Sequence, residues 1–133
     1  QLDYSKNIIC DYVEFERWSY DLSDYIYLGG GELQYIFSPE QDFYTIQFDN
    51  QEQTKVLWSF EGKSADGAHM YFCEEASSAI YIDKKQQRIT VFYSYNEIAE
   101  KYDQVMILSQ LSFVDKKNNT VFPGEYVPQT QRK

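Results

Sequence analysis

Ala79-Ile80-Tyr81-Ile82-Asp83, followed by Lys84-Lys85-Gln86-Gln87 and then by Arg88-Ile89-Thr90-Val91-Phe92-Tyr93-Ser94-Tyr95, is the passage from which the fold is read. Ile80 and Ile82 fall on one side of an extended chain, and Ile89, Val91 and Tyr93 fall on one side of the next. Two β-branched and aromatic runs of period two, joined by a polar connection, predict an antiparallel hairpin.

Working outward, the same kind of unit recurs. Residues 68–74 predict a strand before the hairpin, and residues 55–60 another, with Val56, Trp58 and Phe60 in phase. Residues 43–48 and 33–37 read the same way, the latter ended by Ser38-Pro39-Glu40 because proline cannot continue a ladder. Residues 24–28 form a short strand that stops at Gly29-Gly30-Gly31. Those glycines lack the Lys-Ser or Lys-Thr of a phosphate loop, so a turn is the better reading. In residues 8–20, Val13 and Phe15 alternate with Glu14 and Glu16 until Arg17-Trp18 breaks the phase, which predicts a strand with a bulge near Arg17. Downstream, Asn96 is a capping residue and Ile98 and Tyr102 are spaced i, i+4, so a short helix is expected over 96–102. Residues 104–114 are the longest strand candidate.

About nine strands, with turn signals every eight to twelve residues, predict an all-β single domain over 1–133. Its expected form is an antiparallel meander that makes a barrel or a two-sheet sandwich, with loose termini at 1–7 and 123–133. The length is sufficient for a hydrophobic core without metals or disulfides.

The charge balance is 12 Lys+Arg against 21 Asp+Glu, a net −9. That opposes nucleic-acid binding and adsorption to anionic membranes, and it suits a basic partner. No run approaches the length needed to span a bilayer, so membrane insertion is not expected. A chain that opens on Gln1 is expected to have lost an upstream piece, and a secreted or periplasmic protein is favoured over a cytoplasmic one. Cys10 and Cys73 can form one disulfide in an oxidising compartment, or remain two buried thiols.

Candidate chemistry is sparse. His69 is the sole histidine and sits within a predicted strand, where a structural role is expected. With Cys10 and Cys73 it lacks the close spacing of a zinc site. Glu14/Glu16 and Glu74/Glu75 fit a solvated strand face and a strand end better than a paired-carboxylate site. Asp49-Asn50-Gln51-Glu52 lacks the order of a calcium loop. Asn118-Asn119-Thr120 fits a glycosylation acceptor in an exposed turn. Neither catalysis nor a cofactor is expected.

The aromatic excess, 13 Tyr and 9 Phe, is the feature that leans toward function. Several strands carry apolar groups on both faces, where a one-sided sheet has polar residues at alternate positions. Phe72, Ile80, Ile82, Val91 and Ile107 are assigned to the core. Trp58, Tyr71, Tyr81 and Phe92 are assigned to a second face that binds a protein partner or a small apolar ligand. The first expectation is a non-catalytic, acidic interaction domain of the inhibitor or immunity type. The strand cadence, with a late helix before a final strand, also resembles lipocalin-type barrels, which implies a carrier of a small apolar ligand. The Gly-x-Trp that opens that family is missing, since Trp18 follows Glu16-Arg17, and no family is assigned. A carbohydrate-binding sandwich is a third reading, without a motif.

Overall fold

The computed structural model describes residues 3–39, 43–48, 54–57, 59–73 and 77–117. They form ten strands: β1 Lys6–Ser19, β2 Asp24–Gly31, β3 Tyr35–Pro39, β4 Phe43–Phe48, β5 Thr54–Leu57, β6 Ser59–Lys63, β7 His69–Cys73, β8 Ser78–Asp83, β9 Arg88–Asn96 and β10 Lys101–Asp115. Trp58, Glu74, Glu75, the calcium-loop candidate at 49–52, the acceptor triplet at Asn118 and the tail at 123–133 lie outside the described residues.

All pairings are antiparallel and belong to one sheet, in the order β5-β4-β3-β1-β10-β9-β8-β7-β6. The path is open, but its ends β5 and β6 are separated in the chain by position 58 alone. Two virtual bonds hold Leu57 and Ser59 within about 7.6 Å. The sheet therefore curls back on itself, as a barrel or sandwich requires. The expected nine strands become ten because residues 55–60, read as one strand, are shared between β5 and β6.

β1 has two successive partners on one side. Its first half pairs with β3 through Ile8↔Phe37 and Cys10↔Tyr35, and its second half pairs with β2 from Val13↔Gly31 to Ser19↔Asp24. The register slips between Phe15 and Glu16, close to the bulge expected near Arg17. Gly30 is required here: a Cβ would lie 2.8 Å from the carbonyl oxygen of Val13.

The larger of two core clusters comprises Ile8, Cys10, Val13, Tyr35, Phe37, Tyr71, Cys73, Ile80, Ile82, Ile89, Val91 and Leu108, and the smaller is Ile9 and Ile36 with Val114 packed against them. In β1 the inward set changes from even to odd positions between Cys10 and Val13. Opposite that switch, Gln110 adopts φ 56° and drops out of the register with Asp11. A left-handed residue in one strand re-aims the side chains on either side of it. Cys10 and Cys73, which the sequence allows as one disulfide or as two buried thiols, are both buried in the core.

Other expectations are corrected too, the first being the turn at Gly29–Gly31: these residues belong to β2 and pair with β1. The helix at 96–102 is absent: β9 runs to Asn96, residues 97–100 turn, and β10 begins at Lys101. The capping chemistry is nevertheless present, because Asn96 Oδ1 accepts the backbone N–H groups of Ile98 (3.0 Å) and Ala99 (3.1 Å). Ile98 is 98% exposed, so a helix would have had no apolar face to bury. Residues 3–7 are not loose, since Lys6 and Asn7 belong to β1 and the Lys116 N–H donates to the Ser5 carbonyl. In β7 the phase is inverted: Tyr71 is 3% exposed and Phe72 38%. Ile107 is only half-buried, whereas Ile80, Ile82 and Val91 are buried as expected.

Tyr71→Ala is expected to cost about 3 kcal/mol or more in urea unfolding, the scale for a buried aromatic truncation. Phe72→Ala should cost well under half of that. Equal losses would return Phe72 to the core.

Candidate binding face

The face of the sheet opposite the core carries a connected set of aromatic rings. Phe92 on β9 is its centre, with Tyr81 of β8 at 5.3 Å, Tyr102 of β10 at 5.8 Å and Tyr25 of β2 at 6.2 Å between ring centroids. Tyr81 and Phe92 meet because Ala79 pairs with Phe92 and Tyr81 with Thr90, which puts the two rings on one face as diagonal neighbours. Val105 pairs with Phe92, shares its face and is buried. The array continues from Tyr25 to Trp18 at 4.9 Å, from Trp18 to Tyr20 at 6.5 Å, and from Tyr102 to Tyr95 at 4.9 Å. Most of these contacts are edge-on or tilted, the arrangement that ring quadrupoles prefer.

Two local features bring the rings together. Trp18 and Tyr25 are cross-strand partners in the β1–β2 hairpin. In β9, Ser94 has φ 57° and falls out of register with Asp103. Beyond that kink Tyr95 and Tyr102 are turned toward the Phe92 side, whereas Tyr93 packs against the core.

Polar contacts tie the two hairpin ends into one unit. The Tyr20 hydroxyl donates to Asp103 Oδ1 in a short hydrogen bond and accepts from Asn96 Nδ2 at 3.1 Å. The Tyr25 hydroxyl donates to the Tyr102 carbonyl at 2.8 Å. The Lys101 ammonium lies 4.6 Å from the centre of the Trp18 ring, a cation–π contact. The Asp103 hydrogen bond holds the Tyr20 pKa above 10, and burial does the same for Tyr25 and Tyr102.

The outer end of this unit is both apolar and acidic. Leu22 is 70% exposed, and Tyr20, Tyr95 and Ile98 also face solvent. The two turns and their flanks carry Asp21, Asp24, Glu97, Glu100 and Asp103, with Glu14 and Glu16 further along β1, against the cations Arg17 and Lys101. Among the described residues none of these seven carboxylates forms an ion pair. Where β1 and β10 part beyond the Arg17↔Gln104 pair, a cleft of about 490 Å³ opens, lined by Arg17, Trp18, Ser19, Tyr20, Asp21, Ser94, Asp103 and Gln104. At the opposite margin of the array a smaller cleft of about 160 Å³ is lined by Asp66, Ala68, Tyr81, Asp83, Arg88, Thr90 and Phe92.

Of the four contact residues expected from the sequence, Tyr81 and Phe92 lie together on this face. Tyr71 belongs to the core, where burial pushes its phenol up to about 12. Trp58 lies outside the described residues. The sequence reading did not assign Trp18, Tyr20, Tyr25, Tyr95 or Tyr102 to the face. A signal existed for two of them: closing a hairpin over residues 20–23 places Trp18 opposite Tyr25.

His69 is remote in role. Its ring shares the core side of β7, 6.0 Å from Phe60, and its Nδ1 is buried without a hydrogen-bond partner. Among the described residues no group of three or more His, Cys, Asp or Glu side chains is placed to hold a metal ion. Comparison with protein-family models, curated proteins and solved structures finds no match.

Burial lowers the His69 pKa below 6.5, so the folded chain binds its proton less readily than the unfolded chain. The stability that His69 contributes is therefore complete above about pH 6.5 and declines as the pH falls through the lower folded pKa. His69→Gln should flatten the dependence of the urea midpoint on pH between about pH 7 and about pH 5. An unchanged slope would assign that dependence to the carboxylates.

The hydroxyl of Tyr25 should also be measurable. Tyr25→Phe keeps the ring contacts and removes one hydrogen bond, so a loss of about 1 kcal/mol is expected. A neutral result would show that the rings alone hold the two hairpin ends together.

Proposed function

We propose that this chain is a non-catalytic protein-interaction domain, of the inhibitor or immunity type, that docks a basic partner on its acidic aromatic end. One observation carries the reading: exposed apolar side chains at two hydrogen-bonded hairpin tips whose turns and flanks carry carboxylates without ion-pair partners among the described residues. Large amphipathic rings held rigid by their neighbours provide contact area at little entropic cost. Carboxylates at the rim accelerate encounter with a positively charged surface and select against acidic ones. The fixed positions of Tyr25, Phe92 and Tyr102 support a preformed surface, which lowers the ordering cost of association.

The test compares the native chain with a Leu22→Asp, Ile98→Asp double variant, both immobilised and exposed to the same protein mixture. The native chain should retain a basic protein whose affinity falls roughly tenfold as salt shortens the Debye length from about 10 Å to a few ångströms. The double variant should fold normally and retain little. Equal retention by both would remove the hairpin tips from the interface. A small molecule seen in native mass spectrometry and lost on denaturation would transfer the chain to the ligand-carrier class.

A further inference from the structure

Three strands keep an open edge among the described residues: β5, β6 and β2. The sequence treats them differently. β5 carries Lys55, and β6 carries Glu61 and Lys63. Charges of this kind keep foreign strands from pairing with a sheet edge. Across residues 25–31, β2 has no charged residue and no proline. Its register slip leaves Leu28 as the extra residue between Tyr27 and Gly29, and Tyr27 and Leu28 are 59% and 53% exposed.

The glycines sharpen the contrast. Gly30 is explained by the carbonyl of Val13, as described above. Gly31 is not explained by its own chain: it lacks the left-handed φ that favours glycine, and a Cβ there would meet nothing within 4 Å. A glycine in a strand leaves room for a bulge or for the close approach of another backbone, and here the space beside Gly31 is open.

We propose that β2 accepts an added strand from a basic partner, extending the sheet beyond β1 and β2. The proposal rests on the basic-partner reading above and supplies its mode of contact. Charge selects the occupant. Glu14 pairs with Gly30 and Glu16 with Tyr27, Asp24 opens β2, and Asp21 and Glu32 flank it, against Arg17 alone. A second copy of this chain would set the same carboxylates against these. An extended segment that alternates Lys or Arg with β-branched residues places its cations beside them, and its main chain completes the ladder.

The experiment uses the full chain, uniformly labelled with nitrogen-15, and an alternating Lys-Val peptide of about eight residues, a typical strand length. The control is the same peptide N-methylated at alternate residues, which keeps the charge and removes donors from one edge. The unmodified peptide should slow amide exchange across residues 25–31 about tenfold or more, and the N-methylated peptide should not. Leu28→Lys, at an exposed position, should keep the fold and weaken binding by about tenfold. Equal binding of both peptides, without protection of β2, would overturn strand addition and leave the basic-partner reading in place. No spectral change with either peptide would overturn both. A dimer in sedimentation equilibrium that Leu28→Lys abolishes would assign the edge to a second copy and overturn the proposal.

Discussion

The β1–β10 ladder is the constraint on which everything else depends. It runs from Lys6↔Asp115 to Arg17↔Gln104 and joins the two halves of the chain across the middle of the sheet. Each strand is long enough to serve two surfaces. At one end Ile8, Cys10 and Val13 meet Leu108 and Leu111 in the core, and at the other Glu16, Trp18 and Val105 contribute to the aromatic face. The Lys6–Asp115 ion pair at 3.1 Å closes the ladder but is partly exposed, and pairs of that kind contribute at most about 1 kcal/mol. Burial and main-chain hydrogen bonds hold the ladder, which leaves the surface charge available for recognition.

Two residues in strained backbone make this division. Gln110 in β10 and Ser94 in β9 both adopt left-handed φ without being glycine, a conformation that costs of order 1 kcal/mol or more. Gln110 lies where the inward set of β1 changes parity, and Ser94 lies where the rings of Tyr95 and Tyr102 leave the core side. A regular pair of strands would have sent the apolar positions of each strand to one face throughout. The kinks let one sheet carry a packed interior and, further along the same strands, a second apolar surface.

This accounts for what the sequence makes legible. The 79–95 hairpin is readable because Ile80, Ile82, Ile89 and Val91 keep one phase around a polar turn. β7 is not, because Met70, Tyr71 and Phe72 are apolar on both sides and offer no polar reference; only Cys73 and His69 mark the inner face. The turn at 97–100 was read as a helix because an Asn that accepts N–H groups two and three residues ahead serves both structures. The aromatic face needs five strands in register and a left-handed serine, neither of which a local pattern shows. Tyr81 and Phe92 can be placed on one face from the sequence because they lie in the hairpin whose phase is plain. Trp18 and Tyr25 meet across the β1–β2 hairpin, but their approach to Phe92 depends on the long-range β1–β10 pairing.

The placement of β1 also has a consequence for how the molecule is made. β1 finds its principal partner in β10, with β2 to β9 between them in sequence, so the ladder can form only once β10 has been synthesised. At about five to twenty residues per second, β1 spends several seconds with that edge uncovered. The apolar run Ile8-Ile9-Cys10 waits with it, and pairing over such sequence separation is slow in itself. A ribosome that stalls before β10 releases a chain with its central strand exposed, a product fit for chaperone capture or degradation.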